Sequence, residues 1–382
     1  MTRRLSILGT RGIPAAHGGF ETFTERLAPY LVAHGWEVSV YCQQDVPAAE
    51  AAALSQPRIS HWRGVRQVTF STRLRGAPGT ISFDLRSARH AVRAGHLTLT
   101  LGYNTAVFGL LQRMAGISNL VNMDGIEWRR DKWAWYAKAW LFVNERLAAW
   151  SGTHLIADHP QIAARLRTLT RADRITMIPY GADTLTDEDV DPAALAALAL
   201  VPGEFLTVIA RPEPENSILE IVSAFSRSRR GCRLVVLGDF DDSCPYHAAV
   251  KAAASSEVTF LGAIYEHRVV NALRRYSRAY VHGHRVGGTN PSLVEALGAG
   301  CAVIAQDNHF NRWVAGERAQ FFRGADDLAT LFDRLLDDGP VLRALRDASV
   351  ARHRERFTWE RVLGEYEALL ARYADEQVTA GI

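Results

Sequence analysis

Twice along this chain a short apolar run leads into a glycine-bearing loop, a helical pattern and another apolar run, and that grammar admits few folds. Leu5–Leu8 is continuous and apolar, and Gly9-Thr10-Arg11-Gly12 follows it directly. From Glu21 to His34 the residues Phe23, Leu27, Tyr30 and Leu31 recur at helical spacing. Gly35 stops that pattern, and Val38-Ser39-Val40-Tyr41 reads as the next strand. A strand–helix–strand unit of this kind begins a doubly wound parallel sheet.

The alternation continues with a strand at Leu97–Leu101, a helix at Thr105–Met114, and strands at Asn119–Met123, Leu155–Ala157 and Ile175–Ile178. A turn at Pro179–Asp183 and the acidic, alanine-rich stretch Thr184–Leu200 then interrupt it. The same grammar restarts at Phe205–Ile209, with a helix at Ile218–Ser226 and strands at Arg233–Leu237, Val258–Leu261 and Ala279–Val281. A helix at Ser292–Gly298 and a strand at Ala302–Ala305 follow. At 382 residues the chain is long for one core. The expected division is residues 1–183 as one Rossmann-like domain and 184–356 as a second. Residues 357–382 form a terminal helix, amphipathic through Val362, Leu363, Tyr366, Leu369 and Leu370, that packs back toward the first. Two such halves imply a cleft between them, with ligands at the carboxyl ends of the strands.

Charge is unevenly placed. Residues 1–183 carry 22 Lys and Arg against 13 Asp and Glu, while the whole chain nets only +3. A basic first half suits an anionic lipid or a phosphorylated ligand; arginine-rich base composition, with only three lysines, explains it equally well. Four scattered cysteines (Cys42, Cys232, Cys244, Cys301) form no disulfide or metal framework and read as incidental thiols. No apolar run approaches the ~20 residues that span a bilayer. The apolar stretch after Met1-Thr2-Arg3-Arg4 is too short for a secretory leader, so a cytoplasmic protein is expected.

Two loops carry the chemistry. Gly9 to Gly19 follows the first strand and opens a helix; the pair Gly18-Gly19 lets backbone amides approach an anion, or serves as a plain turn. Its spacing is not the G-x-G-x-x-G of dinucleotide folds. In the second half Gly287-Gly288-Thr289-Asn290-Pro291-Ser292-Leu293 leads into a helix with proline and serine at its start, an anion cradle. Glu295, about a turn further on, is placed to accept from a sugar hydroxyl, or is a solvated helix glutamate. A third feature is the run Trp128 to Trp140, tryptophans interleaved with Arg129, Arg130, Lys132 and Lys138 on an expected helix. Such a run suits a bilayer interface or a lipid-diphosphate acceptor, and core packing is the alternative. No nucleic-acid-binding module is present. His282 and His284 read as strand-end residues without a metal.

With these residues in view the chain resembles the GT-B glycosyltransferases of family 4, within them the rhamnosyltransferase-type subgroup. The resemblance rests on Gly9-Thr10-Arg11-Gly12-Ile13-Pro14 with Gly18-Gly19-Phe20-Glu21-Thr22-Phe23, and on Asp124-Gly125-Ile126-Glu127-Trp128. In the second half it rests on Arg211-Pro212-Glu213-Pro214-Glu215-Asn216 and the Gly287–Ala296 segment. It implies an α/β GT-B fold, two Rossmann-like domains facing a central cleft, the first for acceptor and the second for nucleotide-sugar. It implies retaining transfer with no metal or other cofactor.

By that resemblance Gly18 and Gly19 touch the donor diphosphate or sugar, Arg211 neutralises the diphosphate with Asn216 nearby, Gly288 and the amides from Thr289 through Asn290 and Ser292 to Leu293 hold phosphate, and Glu295 binds the ribose. Asp124 is the candidate catalytic residue, orienting acceptor or sugar, with a helix cap or loop carboxylate as the alternative; Glu127, Trp128, Arg129 and Arg130 are candidates for acceptor or membrane contact. The chain departs from the family at Gly287, where a glutamate usually holds donor hydroxyls, near Asn216 and Ser217, where a diphosphate lysine is usual, and at Met123-Asp124, where His-Asp is usual. These departures fit a deoxyhexose donor such as rhamnose. The implied partners are a nucleotide-sugar and a glycan or lipid-linked acceptor of cell-surface polysaccharide synthesis, with the enzyme on the cytoplasmic face of the inner membrane. A nucleotide-sugar epimerase or hydrolase, or a non-catalytic sugar-nucleotide-binding module, are the rival readings.

Overall fold

The computed structural model describes residues 2–15, 18–45, 56–130 and 132–379. Ala16, His17 and Asp131, which fall within the loop and the tryptophan run read above, lie outside the described residues. The chain forms two compact units, Met1–Pro179 with Glu360–Ile382, and Tyr180–Trp359.

The first unit runs β1 (Arg4–Leu8), α1 (Gly19–Ala33), β2 (Glu37–Asp45), β3 (Arg58–Trp62), β4 (Val65–Thr72), α2 (Gly76–Ala94), β5 (Leu97–Leu101), α3 (Gly109–Met114), β6 (Asn119–Asn122), α4 (Trp135–Ser151), β7 (His154–Ala157), α5 (Pro160–Leu166) and β8 (Ile175–Met177). Its eight strands form one sheet in the order β3-β4-β2-β1-β5-β6-β7-β8. Every pairing is parallel except β3 with β4. The central strands are buried on both faces, with Leu5, Ile7, Val40, Leu99 and Leu120 fully covered, which is why they read as unbroken apolar runs. The hairpin β3–β4 and helix α2 escape that reading. β3 is an edge strand with polar or half-exposed residues throughout, and α2 buries mainly glycine, serine and alanine around Phe83.

The second unit contains β9 (Phe205–Ile209), α6 (Ile218–Phe225), β10 (Arg233–Leu237), α7 (Pro245–Ala252), β11 (Val258–Gly262), α8 (His267–Arg275), β12 (Ala279–His282), α9 (Pro291–Gly298), β13 (Val303–Gln306), α10 (His309–Ala315), β14 (Gln320–Phe322), α11 (Ala325–Leu335) and α12 (Gly339–Arg356). Its six strands are all parallel, in the order β11-β10-β9-β12-β13-β14. Leu206, Val208, Leu234 and Val236 pack against Ile221, Val222 and Phe225 of α6 and Phe332 of α11.

The last helix, α13 (Trp359–Thr379), completes the first unit. The Tyr366 ring packs tilted against Phe23 of α1 with centroids 4.6 Å apart, and its hydroxyl accepts from Asn122 Nδ2 at 2.8 Å. Tyr373 shares a 2.8 Å hydrogen bond with His154 Nδ1, whose other nitrogen meets Thr176 Oγ1. Both contacts are buried at the sheet, so α13 is held by apolar area and by paired polar groups together. Replacing Tyr366 by Phe keeps the ring and strands the Asn122 amide. We expect a loss of about 1–3 kcal/mol, read as a lower denaturation midpoint; an unchanged midpoint would show that α13 docks by its apolar face alone.

Candidate functional site

In a parallel sheet each strand-to-helix loop, and each following helix N-terminus, lies at the carboxyl edge. In the second unit that edge gathers most of the residues singled out above. Arg211 lies two residues beyond β9, exposed, and no ion pair reaches its guanidinium among the described residues. The turn behind it is tight: Glu213 N donates to the Arg211 carbonyl at 2.7 Å, and buried Asn216 donates its Nδ2 to the same oxygen at 2.8 Å. Asn216 therefore shapes the arginine's loop. Ser217, in the left-handed region at φ 51°, then starts α6.

Helix α9 is joined to that loop through one atom. Ser292 Oγ donates to the Ile209 carbonyl at 3.1 Å, and Tyr280 at β12 bonds the same hydroxyl. The serine is spent on this junction. Proline at the first helical position has no N–H to offer, and Asn290 caps its own helix, Oδ1 accepting from Ser292 N at 3.0 Å. Leu293 N turns in to the Asn290 carbonyl at 3.1 Å. The cradle expected from Thr289 to Leu293 is thus partly filled by its own side chain. The amides of Gly288 and Asn290 donate to no described residue, and Gly287, at φ 139°, lies in the region that favours glycine.

Glu295 is not a free, solvated helix glutamate. It pairs with Arg274, a buried residue of α8, which sequence inspection passed over because nothing in a run of α8 arginines marks the one that turns inward. His282 ends β12, buried and stacked on His284 with centroids 4.3 Å apart. Burial, and secondarily His284, holds it well below the usual histidine range, so it is neutral. Cys42, Cys232 and Cys301 are buried and Cys244 partly so, all four as free thiols.

The carboxyl edge of the first unit is built differently. Gly9 sits at φ 82° where a Cβ would fall 2.1 Å from the Leu101 carbonyl, so the chain can pass only as glycine. Gly18, at φ 105°, opens α1 with no side-chain cap, and Gly19 is the helix's first residue. Glu21 folds back over this start. Its Oε1 accepts from Arg11 N at 2.9 Å, and a Cβ on Gly18 would meet its Oε2 at 2.2 Å. A carboxylate therefore already occupies the mouth of the loop.

Asp124 follows β6 in the left-handed region, at φ 50°, with its amide bonded to Asn122 Oδ1 at 2.9 Å. It caps no helix. Burial, and then the neighbouring Glu127, push its carboxyl up to about 6, against the opposing pull of the Gly125 amide, Arg130 and Lys132. Glu127 itself pairs with Arg130 at 3.0 Å, and its amide donates to the Tyr103 hydroxyl at 2.8 Å.

The single helix expected through Trp128–Trp140 does not form. Residues Glu127–Arg129 make one 3-10 turn and α4 begins only at Trp135. Tertiary contacts win locally: the Trp128 ring packs edge-on to Phe142 at 5.3 Å beneath Arg129, and Trp133 Nε1 reaches Glu127. Trp128 is thus partly buried, while Trp135 is 80% exposed.

Two family models match the sequence. Residues 18–181 match a glycosyl transferase 4-like domain and residues 199–352 match glycosyl transferases group 1. No curated protein sequence matches the chain. Among solved structures it is similar to sucrose-phosphate synthase from Thermosynechococcus elongatus, at TM-score 0.78 and 19% identity over 100% of both chains. It is also similar to HepE of Anabaena in complex with UDP-glucose, at 0.74 and 14% over 97% of this chain and 100% of that one. The trehalose-phosphate synthase of Burkholderia xenovorans gives 0.72 and 13% over 96% and 100%. The class is thereby defined: two α/β units with parallel sheets, in a glycosyltransferase of the GT-B fold. Within that class the chain is of the family-4-like kind, with the 4-like model on its first half and the group 1 model on its second.

The Asn290 cap is testable in stability alone. Asn290→Ala should cost about 1 kcal/mol, whereas Asn290→Asp should keep the cap and the melting temperature; equal losses would show that the side chain matters for something other than capping.

Proposed function

We propose that this glycosyltransferase moves a hexosyl group from a nucleoside-diphosphate sugar to a glycan or lipid-linked acceptor, with retention at the anomeric carbon. The observation that carries the donor assignment lies within the second unit. Arg211, the Gly287–Asn290 amides and Glu295 share one carboxyl edge, tied together through Ile209 and Ser292. An arginine and a helix start favour a diphosphate, and Glu295 one turn into α9 suits a ribose. HepE, of the same fold, is described in complex with UDP-glucose, and a donor of that chemistry is consistent with this edge.

In the step we propose, an acceptor hydroxyl oxygen attacks the anomeric carbon on the face from which the diphosphate departs. The bond from that carbon to the phosphate oxygen breaks, and the departing oxygen takes the acceptor proton. Negative charge grows on the leaving group, where Arg211 and the amides before α9 stabilise it. Asp124 orients the acceptor or the reacting sugar, with Gly18 and Gly19 as further donor contacts. Gly287, where the family's glutamate is absent, favours a deoxyhexose such as rhamnose. Surface-polysaccharide synthesis and a cytoplasmic location at the membrane belong to the same proposal; no helix among the described residues is long and apolar enough to cross a membrane.

Thermal shift with a panel of nucleoside diphosphates tests the donor. A ligand at one hundred times its Kd adds about 2.7 kcal/mol of stability, enough to move the melting temperature by several degrees. Turnover measured with and without acceptor then separates transfer from hydrolysis, epimerisation or plain binding. Arg211→Ala should weaken nucleotide binding about 10- to 100-fold, the worth of a charge-assisted hydrogen bond. Cys301→Ala should change it little, and equal effects would remove Arg211 from the site.

Asp124 acts as a carboxylate, so activity should fall as pH drops through about 6. Glu127→Gln removes a negative neighbour and makes Asp124 more acidic. The acid limb should then move to lower pH, and a limb that stays in place assigns it to another group.

A further inference from the structure

Two arginines close α8, and their side chains part ways. Arg275 turns to the surface, where its Nε pairs with Asp187 at 2.9 Å and its Nη1 donates to the Ala299 carbonyl at 3.2 Å. Arg274 turns inward, its side chain 8% exposed, and Nη2 donates to Glu295 Oε2. Its neighbours Ala272 and Leu273, and the residues Ala296 and Leu297 beside Glu295, are fully buried.

A guanidinium taken out of water needs an anion and acceptors in exchange for its hydration. Arg274 receives little. Its Nε is buried with no partner among the described residues. The Tyr280 phenol and the Cys301 thiol lie within its field, but burial pushes the first up to about 12 and the second up to about 11, so both are neutral. Glu295 is the one carboxylate paired with it among the described residues. A buried pair of this kind adds little stability over apolar side chains of the same volume. What it fixes is direction. Nor is it needed as a clasp between helices, because Arg275 already fastens α8 to Ala299, the cap residue that ends α9.

Glu295 lies three residues beyond Ser292 and so shares its face of α9. That face meets the Ile209 carbonyl, which ends β9 two residues before Arg211. With Oε2 held by Arg274, Glu295 keeps a second oxygen, Oε1, to which no described residue donates, on a side chain still 31% exposed. An untethered glutamate gives up rotamer freedom when it catches a ligand. One clamped by its other oxygen has given that up in folding.

We infer that Arg274 is a positioning residue for the nucleotide: it holds Glu295 by one carboxylate oxygen so that the other is set to accept from a nucleoside hydroxyl. The inference deepens the donor assignment above and rests on it for the role of Glu295. Arg274 itself touches no ligand and acts only through that carboxylate.

The test is a double-mutant cycle on the full chain, read by calorimetry. Its probes are whichever of UDP, TDP, GDP and ADP gives the largest thermal shift, and inorganic pyrophosphate, which keeps the charge and lacks the nucleoside. Arg274→Met and Glu295→Gln should each weaken the nucleotide about tenfold, and the double variant about tenfold again in total and not a hundredfold, because all three remove one interaction. Pyrophosphate should stay within about twofold throughout, whereas a general loosening of α9 would weaken both probes alike. Arg274→Lys, which restores the charge and a donor, should return the nucleotide to within about threefold of the parent. The double variant buries no unpaired charge, and its comparison with Glu295→Gln serves should Arg274→Met not fold. Losses that add in the double variant, pyrophosphate weakened as much as the nucleotide, or an Arg274→Met that binds normally while Glu295→Gln is weakened would each overturn the inference and leave the donor assignment standing. A Glu295→Gln that binds every nucleotide normally would instead remove Glu295 from the site, and both readings would fall.

Discussion

Parallel pairing is the constraint from which the rest follows. Once the strands of a sheet run the same way, each helix must carry the chain back, and every loop that leaves a strand for a helix opens on one edge. Here β3 is the one antiparallel strand among the described residues. The loops after β1, β6, β9 and β12 therefore fall at carboxyl edges by topology alone, and sequence needs only to place the right residue types in them. The glycines at 9 and 18, Asp124, Arg211 and the Gly287–Asn290 segment occupy those places.

What those loops offer differs between the units, and the difference is electrostatic. In the second unit an exposed guanidinium, Arg211, and the Gly288 and Asn290 amides, which donate to no described residue, lie at that edge. In the first, the Glu21 carboxylate lies across its own helix start, and Asp124 stands beside Glu127 with Arg130 and Lys132 near it.

The architecture is legible because buried parallel strands are apolar on both faces and alternate with helical patterns. The hairpin β3–β4 is not, since half-exposed β3 carries no such run and polar residues interrupt the apolar ones of β4, and α2 is hidden by its small residues. Loop chemistry was legible as residue type only. That Ser292 spends its hydroxyl on Ile209, that Asn290 fills part of the cradle, and that Glu295 is gripped by Arg274 are matters of through-space contact. The tryptophan run misled because aromatic spacing at Trp128–Trp140 imitates a helix, while ring packing against Phe142 and the bond from Trp133 to Glu127 break it.

Helix α13 carries one more implication. Tyr366 reaches back 244 positions to Asn122, and Tyr373 reaches 219 to His154. On the ribosome, domains generally form as their residues emerge. The first unit has to wait, because the helix that covers this part of its sheet follows the whole of the second unit in the chain. The half that is begun first is thus completed after the half that is begun second.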